Sequence, residues 1–311
     1  MRKKILITGG SGFVGRNLIL YYEANTDYII NYCDNEVFSI PFESKKSSTV
    51  KIKNDFSNFN ENDLKVYDAL IHLAAVKKHN VEDSFDDLVN TNIVETNNFF
   101  RKACRAGVKK IIFSSSLYAN GEMNKYKVKE SDPSIPSTLY GSSKLFAENV
   151  MRELSLEYSD IQFIPLRLYF IYGPHQYYGK GYPSIFTNTL KRLSEGNVAI
   201  VKNDGKQELD YLYIDDLCRL IHMIEKHNFE NNFEILNASS ANSYKVIDIV
   251  KYILQRSNQK NNFIYDGVDF TKGTFRSGDN SKANKILGWT PKVSIEAGID
   301  KFIEWFSNVK P

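Results

Sequence analysis

A glycine-rich turn between a short apolar strand and a helix limits what this chain can fold into more than any other feature. The turn reads TGGSGFVG over residues 8–15 and follows the apolar segment 4–7. Gly9 and Gly12 let the backbone turn tightly and approach a pyrophosphate, while Gly15 lets the helix pack close to the strand. The pyrophosphate would lie at the helix N-terminus, where unpaired backbone N–H groups point at it. The pattern predicts a dinucleotide-binding βαβ unit.

An acidic residue follows the second predicted strand, residues 28–32, and refines this prediction. Asp34 lies 19 residues after Gly15, close to the roughly 20 residues expected for the carboxylate that binds the adenosine ribose. Its negative charge would repel a 2′-phosphate, so the sequence favours NAD(H). NADP(H) stays open, because the neighbouring Lys45 or Lys46 can offset that charge.

The first half of the chain alternates apolar strands with helical patterns, as repeated βαβ units do. Further strands and helices are predicted at 69–74, 82–105, 110–113, 140–158 and 161–168. Strands that are apolar throughout are covered on both faces, so we expect a Rossmann-type, doubly wound parallel sheet (α/β class) over residues 1–172. Residues 173–311 predict a smaller C-terminal α/β lobe that binds substrate, with some segments that return to the sheet domain.

Composition and charge argue against several classes of protein. No apolar run reaches the roughly 18 to 20 residues of a membrane span, and the apolar segment at the N-terminus is too short for a signal peptide. The 40 Lys and Arg and 37 Asp and Glu residues are dispersed, which argues against a nucleic-acid partner. Cys33, Cys104 and Cys218 form neither a disulfide framework nor a metal site, so a cytoplasmic protein is expected.

Two polar motifs are interpreted as structural. His72 lies inside an apolar strand and is expected to be a buried structural histidine. Asp215 or Asp216 is expected to cap a helix that runs to about His227. The histidines have no partners at metal-ligand spacing, so no metal site is predicted.

A tyrosine and a lysine four residues apart, Tyr140 and Lys144, lie on one face of a predicted helix. An isolated phenol has a pKa of about 10. A nearby lysine cation favours the phenolate, so we expect Tyr140 to exchange a proton near neutral pH. Ser116, at the end of the preceding strand, can hydrogen-bond the same substrate oxygen.

In this order the motifs resemble the extended short-chain dehydrogenase/reductase family, which includes nucleotide-sugar epimerases, dehydratases and reductases. The resemblance covers nearly the whole chain. It is carried by TGGSGFVG (8–15), Asp34-Asn35, Asn54-Asp55-Phe56, HLAA (72–75), Thr91-Asn92, SSS (114–116), YGSSK (140–144), RLYFIYGP (167–174), DYLYIDD (210–216) and LGWTP (287–291). It implies that Ser116, Tyr140 and Lys144 form a catalytic triad, with Tyr140 as the acid and base.

The resemblance also implies a set of cofactor contacts and partners. The expected cofactor contacts are Gly9, Gly12, Phe13, Val14, Gly15, Asp34, Asn35, Asp55, Phe56, Leu73, Ala74, Ala75, Lys77, Asn92, Tyr140, Lys144 and Tyr169. The second lobe is expected to bind a nucleoside diphosphate sugar, in a setting such as polysaccharide biosynthesis. The two long helices, 82–105 and 140–158, are expected to form a homodimer interface.

The residues that follow the triad serine bear on the reaction. The family's 4,6-dehydratases carry an Asp-Glu pair directly after the catalytic Ser or Thr, where this chain has Leu117-Tyr118, so a dehydratase is not expected. Asp34, Asn35 and Lys77 resemble the UDP-hexose 4-epimerases. However, Phe170 and Leu209 replace an Asn and a diphosphate-binding Arg that are usual in that group.

Bulk near the sugar also weighs on the choice of reaction. An epimerase must let the sugar rotate, and Tyr118 and Phe170 are larger than the family's usual residues. The residues therefore favour reduction of a nucleoside diphosphate 4-keto-6-deoxyhexose, in which Tyr140 protonates the C4 oxygen after hydride transfer and Ser116 hydrogen-bonds it. Arg276 is the expected diphosphate contact. A UDP-glucose 4-epimerase-like activity is the alternative, and a non-catalytic NAD(P)-binding protein is a more remote one.

Overall fold

The computed structural model describes residues 2–37, 39, 42, 44–77, 85–122, 127–176, 184–259, 262–269, 271 and 273–309. The chain divides into two compact units. The first unit comprises Met1–Glu122, Glu130–Leu168 and Cys218–Leu236, and the second comprises Met123–Lys129, Tyr169–Leu217 and Asn237–Pro311. The units interleave along the chain, and the sequence-based division into domains 1–172 and 173–311 stays a prediction.

The described part of the chain alternates strands with helices. The strands are β1 Lys4–Thr8, β2 Ile29–Cys33, β3 Thr49–Lys53, β4 Ala69–His72, β5 Lys110–Ser116, β6 Gln162–Leu168, β7 Phe170–Tyr172, β8 Ala199–Val201, β9 Glu208–Tyr213, β10 Leu236–Ala238, β11 Ser243–Lys245, β12 Phe263–Tyr265 and β13 Phe275–Arg276. The helices are α1 Phe13–Asn25, α2 Glu61–Leu64, α3 Phe85–Val89, α4 Thr96–Arg105, α5 Leu139–Glu157, α6 Ile185–Ser194, α7 Ile214–Lys226, α8 Val246–Arg256, α9 Ser281–Leu287 and α10 Ile295–Val309.

A seven-stranded sheet has the order β10-β6-β5-β4-β1-β2-β3, and its strands from β6 to β3 pair in parallel. Register places Leu6, Leu70, Ile111 and Phe163 side by side across four strands. All four are at most 1% exposed and join one apolar core. Successive side chains of a strand point to opposite faces, so a strand that is buried throughout needs cover on both. The predicted Rossmann-type fold class is confirmed.

The predicted helix 82–105 is interrupted in the structure. Residues 82–84 lie outside the described residues, and a π-helical turn, Asn90–Glu95, separates α3 from α4. The hydroxyl of Thr96 donates to the carbonyl oxygen of Thr91 at 2.8 Å. Such turns are rare and are often found at functional sites.

The segment Cys218–Leu236 returns to the first unit and meets a buried lysine there. Lys110 is 9% exposed, and its ammonium donates to the carbonyl oxygens of Ile224, Glu225 and His227. The first two carbonyls lie in the last turn of α7 and the third just beyond its end, where a positive charge is favourable.

The second unit contains smaller sheets. Strand β9 pairs with β7 and β13 in parallel and with β11 in antiparallel fashion, and β8 pairs with β12. Stacked and edge-on rings of Tyr172, Phe186, Tyr211 and Tyr213 build its core. No helix in the described ranges is both long and apolar enough to span a membrane.

Asp216, in the first turn of α7, fastens a distant loop. Its carboxylate accepts the backbone N–H groups of Lys292 and Val293 at 2.9–3.0 Å. Its own carbonyl accepts from the indole of the buried Trp289 at 3.1 Å. By contrast, the carboxylate of Asp215 is 60% exposed, at 3.8 Å from Lys301.

We expect Asp216→Ala to lower the free energy of unfolding of the second unit by about 2 to 4 kcal/mol, because two N–H groups lose their acceptor. Asp215→Ala is the matched control and should change it by no more than about 0.5 kcal/mol. The measurement is urea denaturation followed by tryptophan fluorescence, since both tryptophans, Trp289 and Trp305, belong to this unit. Equal losses in the two variants would contradict this account.

Candidate active site

The glycine turn packs against neighbouring backbone so closely that two of its glycines cannot be replaced without movement. Gly9 has a φ of +71°, and a Cβ there would lie 2.9 Å from the amide nitrogen of Ala74. A Cβ on Gly15 would lie 2.2 Å from the carbonyl oxygen of Gly9. A Cβ on Gly12 would lie 3.2 Å from the same carbonyl oxygen of Gly9, also a tight contact. Phe13 and Val14 open that helix and are half-buried.

A pocket opens at the carboxyl ends of β1, β2 and β4, where ligands bind in open parallel sheets. The predicted cofactor residues that line it are Gly9, Gly12, Asp34, Asn35, Asp55, Phe56, Leu73, Ala74 and Ala75. Cys33, Ser39, Asn54, Val76 and Thr91 complete the lining among the described residues. The fold thus brings nine of the predicted contacts to one cavity.

The carboxylate of Asp34 is held on both oxygens. One accepts the backbone N–H of Ser11 in the glycine turn at 3.0 Å. The other accepts the backbone N–H of Glu36 at 2.7 Å and the hydroxyl of Ser39 at 2.9 Å. Asp34 therefore ties the end of β2 to the glycine turn.

A buried histidine orients the loop after β4. The hydroxyl of Thr96 donates to Thr91, so it accepts from Nε2 of His72 at 3.2 Å. Nδ1 of His72 then accepts the hydroxyl proton of Thr8 at 2.7 Å. The Thr8 oxygen in turn accepts the backbone N–H groups of Leu73 and Ala74, both at 3.2 Å.

His72 stays neutral in this chain of hydrogen bonds. Burial and the charge of Lys144 lower the pKa of His72 to about 3. The side chain is completely buried, so the interpretation of His72 as a structural residue is confirmed.

Asn92, in the π-helical turn, clamps the same loop from the other side. Its amide oxygen accepts the N–H of Val76, and its amide nitrogen donates to the carbonyl of Val76, both at 2.8 Å. The amide nitrogen also lies 3.3 Å from the hydroxyl of Ser143 on α5. Lys77, the next residue of the loop, is exposed.

The three predicted triad residues come together in the first unit. Ser116 ends β5 and caps a 3₁₀ turn, Leu117–Ala119, by accepting the N–H of Tyr118 at 3.3 Å. Helix α5 begins at Leu139, so Tyr140 and Lys144 lie one turn apart on it. The Lys144 ammonium lies 5.6 Å from the centre of the Tyr140 ring, and Ser116 is near enough to lower the pKa of the Tyr140 phenol.

The pKa values of Tyr140 and Lys144 are both shifted from those of the isolated side chains. Burial raises the pKa of Tyr140, Tyr118 raises it further, and the hydrogen bond from Ser116 opposes them. Burial and the charge of Lys77 lower the pKa of Lys144 to about 7, against the pull of Glu148. The sequence predicts that Lys144 favours the phenolate of Tyr140, whereas burial and Tyr118 raise the pKa of this phenol.

A buried ion pair, which the sequence reasoning missed, lies one helical turn beyond Lys144. Arg167 on β6 donates to both carboxylate oxygens of Glu148, at 2.9 and 2.7 Å. Glu148 also accepts the hydroxyl of Ser115, and Arg167 also donates to Asn120. The only sequence signal was spacing, since Glu148 follows Lys144 by four residues on the same helix face.

The other predicted contacts lie in two places. Tyr118 belongs to the first unit, where its ring packs edge-on against Tyr140 at 6.2 Å. Tyr169, Phe170 and Arg276 belong to the second unit. Tyr169 packs over Gly278, Phe170 lies 5.8 Å from the ring of Tyr211, and Arg276 is 9% exposed. Their contacts with cofactor or substrate stay predictions.

Comparison with known proteins identifies the family. A model of the NAD dependent epimerase/dehydratase family matches residues 5–239. The chain belongs to this family. No group of three or more His, Cys, Asp or Glu side chains within the described ranges is arranged to hold a metal ion.

Full-length relatives within this family differ in the reaction they are named for. A mouse (Mus musculus) dTDP-D-glucose 4,6-dehydratase is 27% identical, over 98% of this chain and 88% of its own. A UDP-glucose 4-epimerase of Thermotoga maritima, solved with UDP-glucose, is 26% identical with a TM-score of 0.87, over 99% of this chain and 100% of its own. A Bacillus cereus UDP-glucuronic acid 4-epimerase, solved with UDP-glucuronic acid and NAD, has the same fold, with 24% identity, a TM-score of 0.86, and 98% and 99% coverage.

The buried lysine gives a pH dependence of stability. Because the pKa of Lys144 is about 7 when folded and 10.5 when unfolded, the folded chain binds fewer protons between these values. Stability therefore rises with pH across this range. Relative to Lys144→Met, wild-type protein should gain about 2 to 3 kcal/mol in free energy of unfolding from pH 6.5 to 9.5.

The measurement is chemical denaturation of dinucleotide-free protein at both pH values, followed by circular dichroism. Lys109→Met removes a lysine whose side chain is 63% exposed, and its difference from wild type should be nearly the same at both values. A pH-independent difference for Lys144→Met would show that Lys144 is not desolvated as described.

Proposed function

We propose that this chain is an NAD-dependent 4-epimerase of nucleoside diphosphate hexoses. The observation that carries the proposal is the grouping of Ser116, at the end of β5, with Tyr140 and Lys144, which lie one turn apart on α5. As a phenolate, Tyr140 can take the proton of the C4 hydroxyl of a sugar, and as the resulting phenol it can return that proton to the C4 oxygen. Bound NAD supplies the hydride acceptor at that carbon.

The first unit offers a site that fits NAD. Gly9 and Gly12 line the pocket beside the N-terminus of α1, where a diphosphate is favourable, and Asp34 lies at the end of β2, where it can accept the ribose hydroxyls. The loop Leu73–Val76, fixed by Thr8 and Asn92, lines the same pocket. Asp34 favours NAD(H) over NADP(H), because a 2′-phosphate would face a carboxylate.

The surroundings of Lys144 indicate its role in proton transfer. Its ammonium donates to the carbonyl of Ser114 at 2.7 Å and the residue is only 2% exposed, so its charge carries a desolvation cost that an adjacent anion would offset. Negative charge that develops on Tyr140 during proton transfer provides one. Lys144 therefore stabilises the phenolate more than the phenol, which is the difference that catalysis requires.

Dehydration is disfavoured by the residues that follow the triad serine. An elimination across C5 and C6 needs an acid and a base at these positions, as the resemblance to 4,6-dehydratases implies. Leu117 is 2% exposed and carries no ionisable group. Tyr118 lies against Tyr140 and raises the pKa of that phenol. Epimerisation needs neither group.

Reduction of a 4-keto-6-deoxyhexose nucleotide is the second candidate. It uses the same triad. The bulk of Tyr118 beside Tyr140 favours it, because a sugar that is only reduced does not have to rotate in the site. Phe170 and Leu209, in place of the usual Asn and Arg, point the same way. We rank it second because the 26% identical Thermotoga maritima protein, which matches along its full length, is a 4-epimerase.

Two assays, one without added cofactor and one with NADH, separate the two reactions. An epimerase should convert UDP-glucose, UDP-N-acetylglucosamine or UDP-glucuronic acid into its C4 epimer, detected by NMR, with no net change in absorbance at 340 nm. A reductase should leave these sugars unchanged and should consume NADH only when a nucleoside diphosphate 4-keto-6-deoxyhexose is added.

Tyr140→Phe should lower kcat by about 10²- to 10⁴-fold and still bind NAD, because only the hydroxyl is lost and the aromatic ring remains. Tyr158→Phe, at the other end of α5, is the control and should keep full activity. Full turnover by Tyr140→Phe would refute the proton-transfer role for either reaction.

We further propose that two copies of the chain associate through the long helices. Phe85 on α3, Val94 in the π-helical turn and Phe146 on α5 are 56%, 46% and 42% exposed. Such side chains are unfavourable in water and are common in interfaces between subunits. Helices α4 and α5 pack against each other, so their outer faces can form one surface.

Phe146→Asp should convert the homodimer to a monomer in sedimentation equilibrium, because a buried charge would lie at the interface. Val66→Asp changes a side chain of similar exposure, 48%, outside these helices and should leave the mass unchanged. A monomeric wild-type protein would refute the proposed interface.

A further inference from the structure

A second carboxylate lies beside Asp34 and is bound to the glycine turn. Glu36 has a φ of +58°, an uncommon backbone conformation for a residue other than glycine. Its backbone N–H donates to Asp34 at 2.7 Å, and its carboxylate accepts the hydroxyl of Ser11 at 3.0 Å. Ser11 also donates its N–H to Asp34 at 3.0 Å. The two carboxylates thus share one residue of the turn.

A lysine from the neighbouring strand completes this cluster. Lys51 on β3 lies 2.7 Å from the same Glu36 oxygen, and both side chains are about one-quarter exposed. Hydrogen bonds from Lys51 and Ser11 lower the pKa of Glu36, so it is ionised at neutral pH. Lys46, which sequence reasoning offered as the counter-charge to Asp34, instead donates to the carbonyl of Glu23.

We propose that Glu36 is a specificity-determining residue that keeps the site selective for NAD(H), by holding Lys51 in an ion pair next to Asp34. This proposal rests on the dinucleotide site described above. It does not depend on which sugar reaction the chain performs.

The net charge beside the ribose decides which dinucleotide the site prefers. Asp34, Glu36 and Lys51 together carry one negative charge, which opposes a 2′-phosphate on the ribose that Asp34 binds. Without Glu36 the cluster would be neutral, and Lys51 would have its ammonium free to pair with a phosphate, which is the stronger partner. The chain would then accept NADPH while Asp34 is still present.

The test is a pair of dissociation constants, for NADH and NADPH, measured by fluorescence on dinucleotide-free protein at low ionic strength. Glu36→Gln should lower the ratio of Kd(NADPH) to Kd(NADH) by roughly tenfold, as expected for loss of one charge a few ångströms from a phosphate. The change should shrink in 0.5 M NaCl, because salt screens partly exposed charges. If the substitution only disordered the loop, the change in this ratio would not shrink in salt.

Two further variants isolate the role of Lys51. Glu36→Gln combined with Lys51→Met should restore the wild-type preference, since no cation is then released. Asp63→Asn is the matched control, because Asp63 pairs with Lys53 on the same strand, also at 2.7 Å, and its ratio should not change. If Glu36→Gln fails to fold, Lys51→Met alone should raise the ratio by roughly tenfold, since Glu36 then stays unneutralised.

An unchanged ratio in Glu36→Gln, with NADH still bound, would overturn the proposal and leave the proposed enzyme function intact. Failure of the wild-type protein to bind either dinucleotide would overturn the proposal together with the cofactor assignment. A ratio that falls equally in Asp63→Asn would show a general effect of surface charge, and would also overturn it.

Discussion

The ion pair of Arg167 and Glu148 is the interaction on which the geometry of the proposed catalytic triad depends. Both side chains are at most 2% exposed, and two parallel hydrogen bonds fix their orientation, as in other paired guanidinium and carboxylate groups. Through this pair α5, β5 and β6 are joined directly beneath the triad, because Ser115 also donates to Glu148. Removing one partner would leave the other charge buried and alone, which is strongly destabilising.

Charge burial also explains the tension between stability and activity in this site. A lysine whose pKa lies near 7 destabilises the folded chain at low pH, and a more apolar side chain would fold better there. The site keeps Lys144 and surrounds it with groups that limit the cost: the Ser114 carbonyl, the face of the Phe113 ring at 4.5 Å, and Glu148 at the next turn. Nearby His72 remains neutral, so it adds no second positive charge.

Local motifs were readable from the sequence, and interactions between distant segments were not. The glycine turn, the alternating strands and the Tyr140–Lys144 pair depend on spacing within one or two elements, so the fold class and much of the cofactor pocket were predicted. Arg167 on β6 meets Glu148 on α5, and Lys51 on β3 meets Glu36 in the loop after β2, only because the fold packs these distant segments together. The π-helical turn was missed because one additional residue in a turn barely alters the apolar pattern of a helix.

The interleaved units have a consequence for synthesis of the chain on the ribosome. Domains generally fold as units, the N-terminal one first, but here the first unit is incomplete until Leu236 has been made. Until then Lys110 lacks the three carbonyls that accept from its ammonium, and Phe163 lacks its backbone partner at Asn232. The nascent first unit therefore stays incomplete, with part of its sheet exposed, while Tyr169–Leu217 of the second unit are translated.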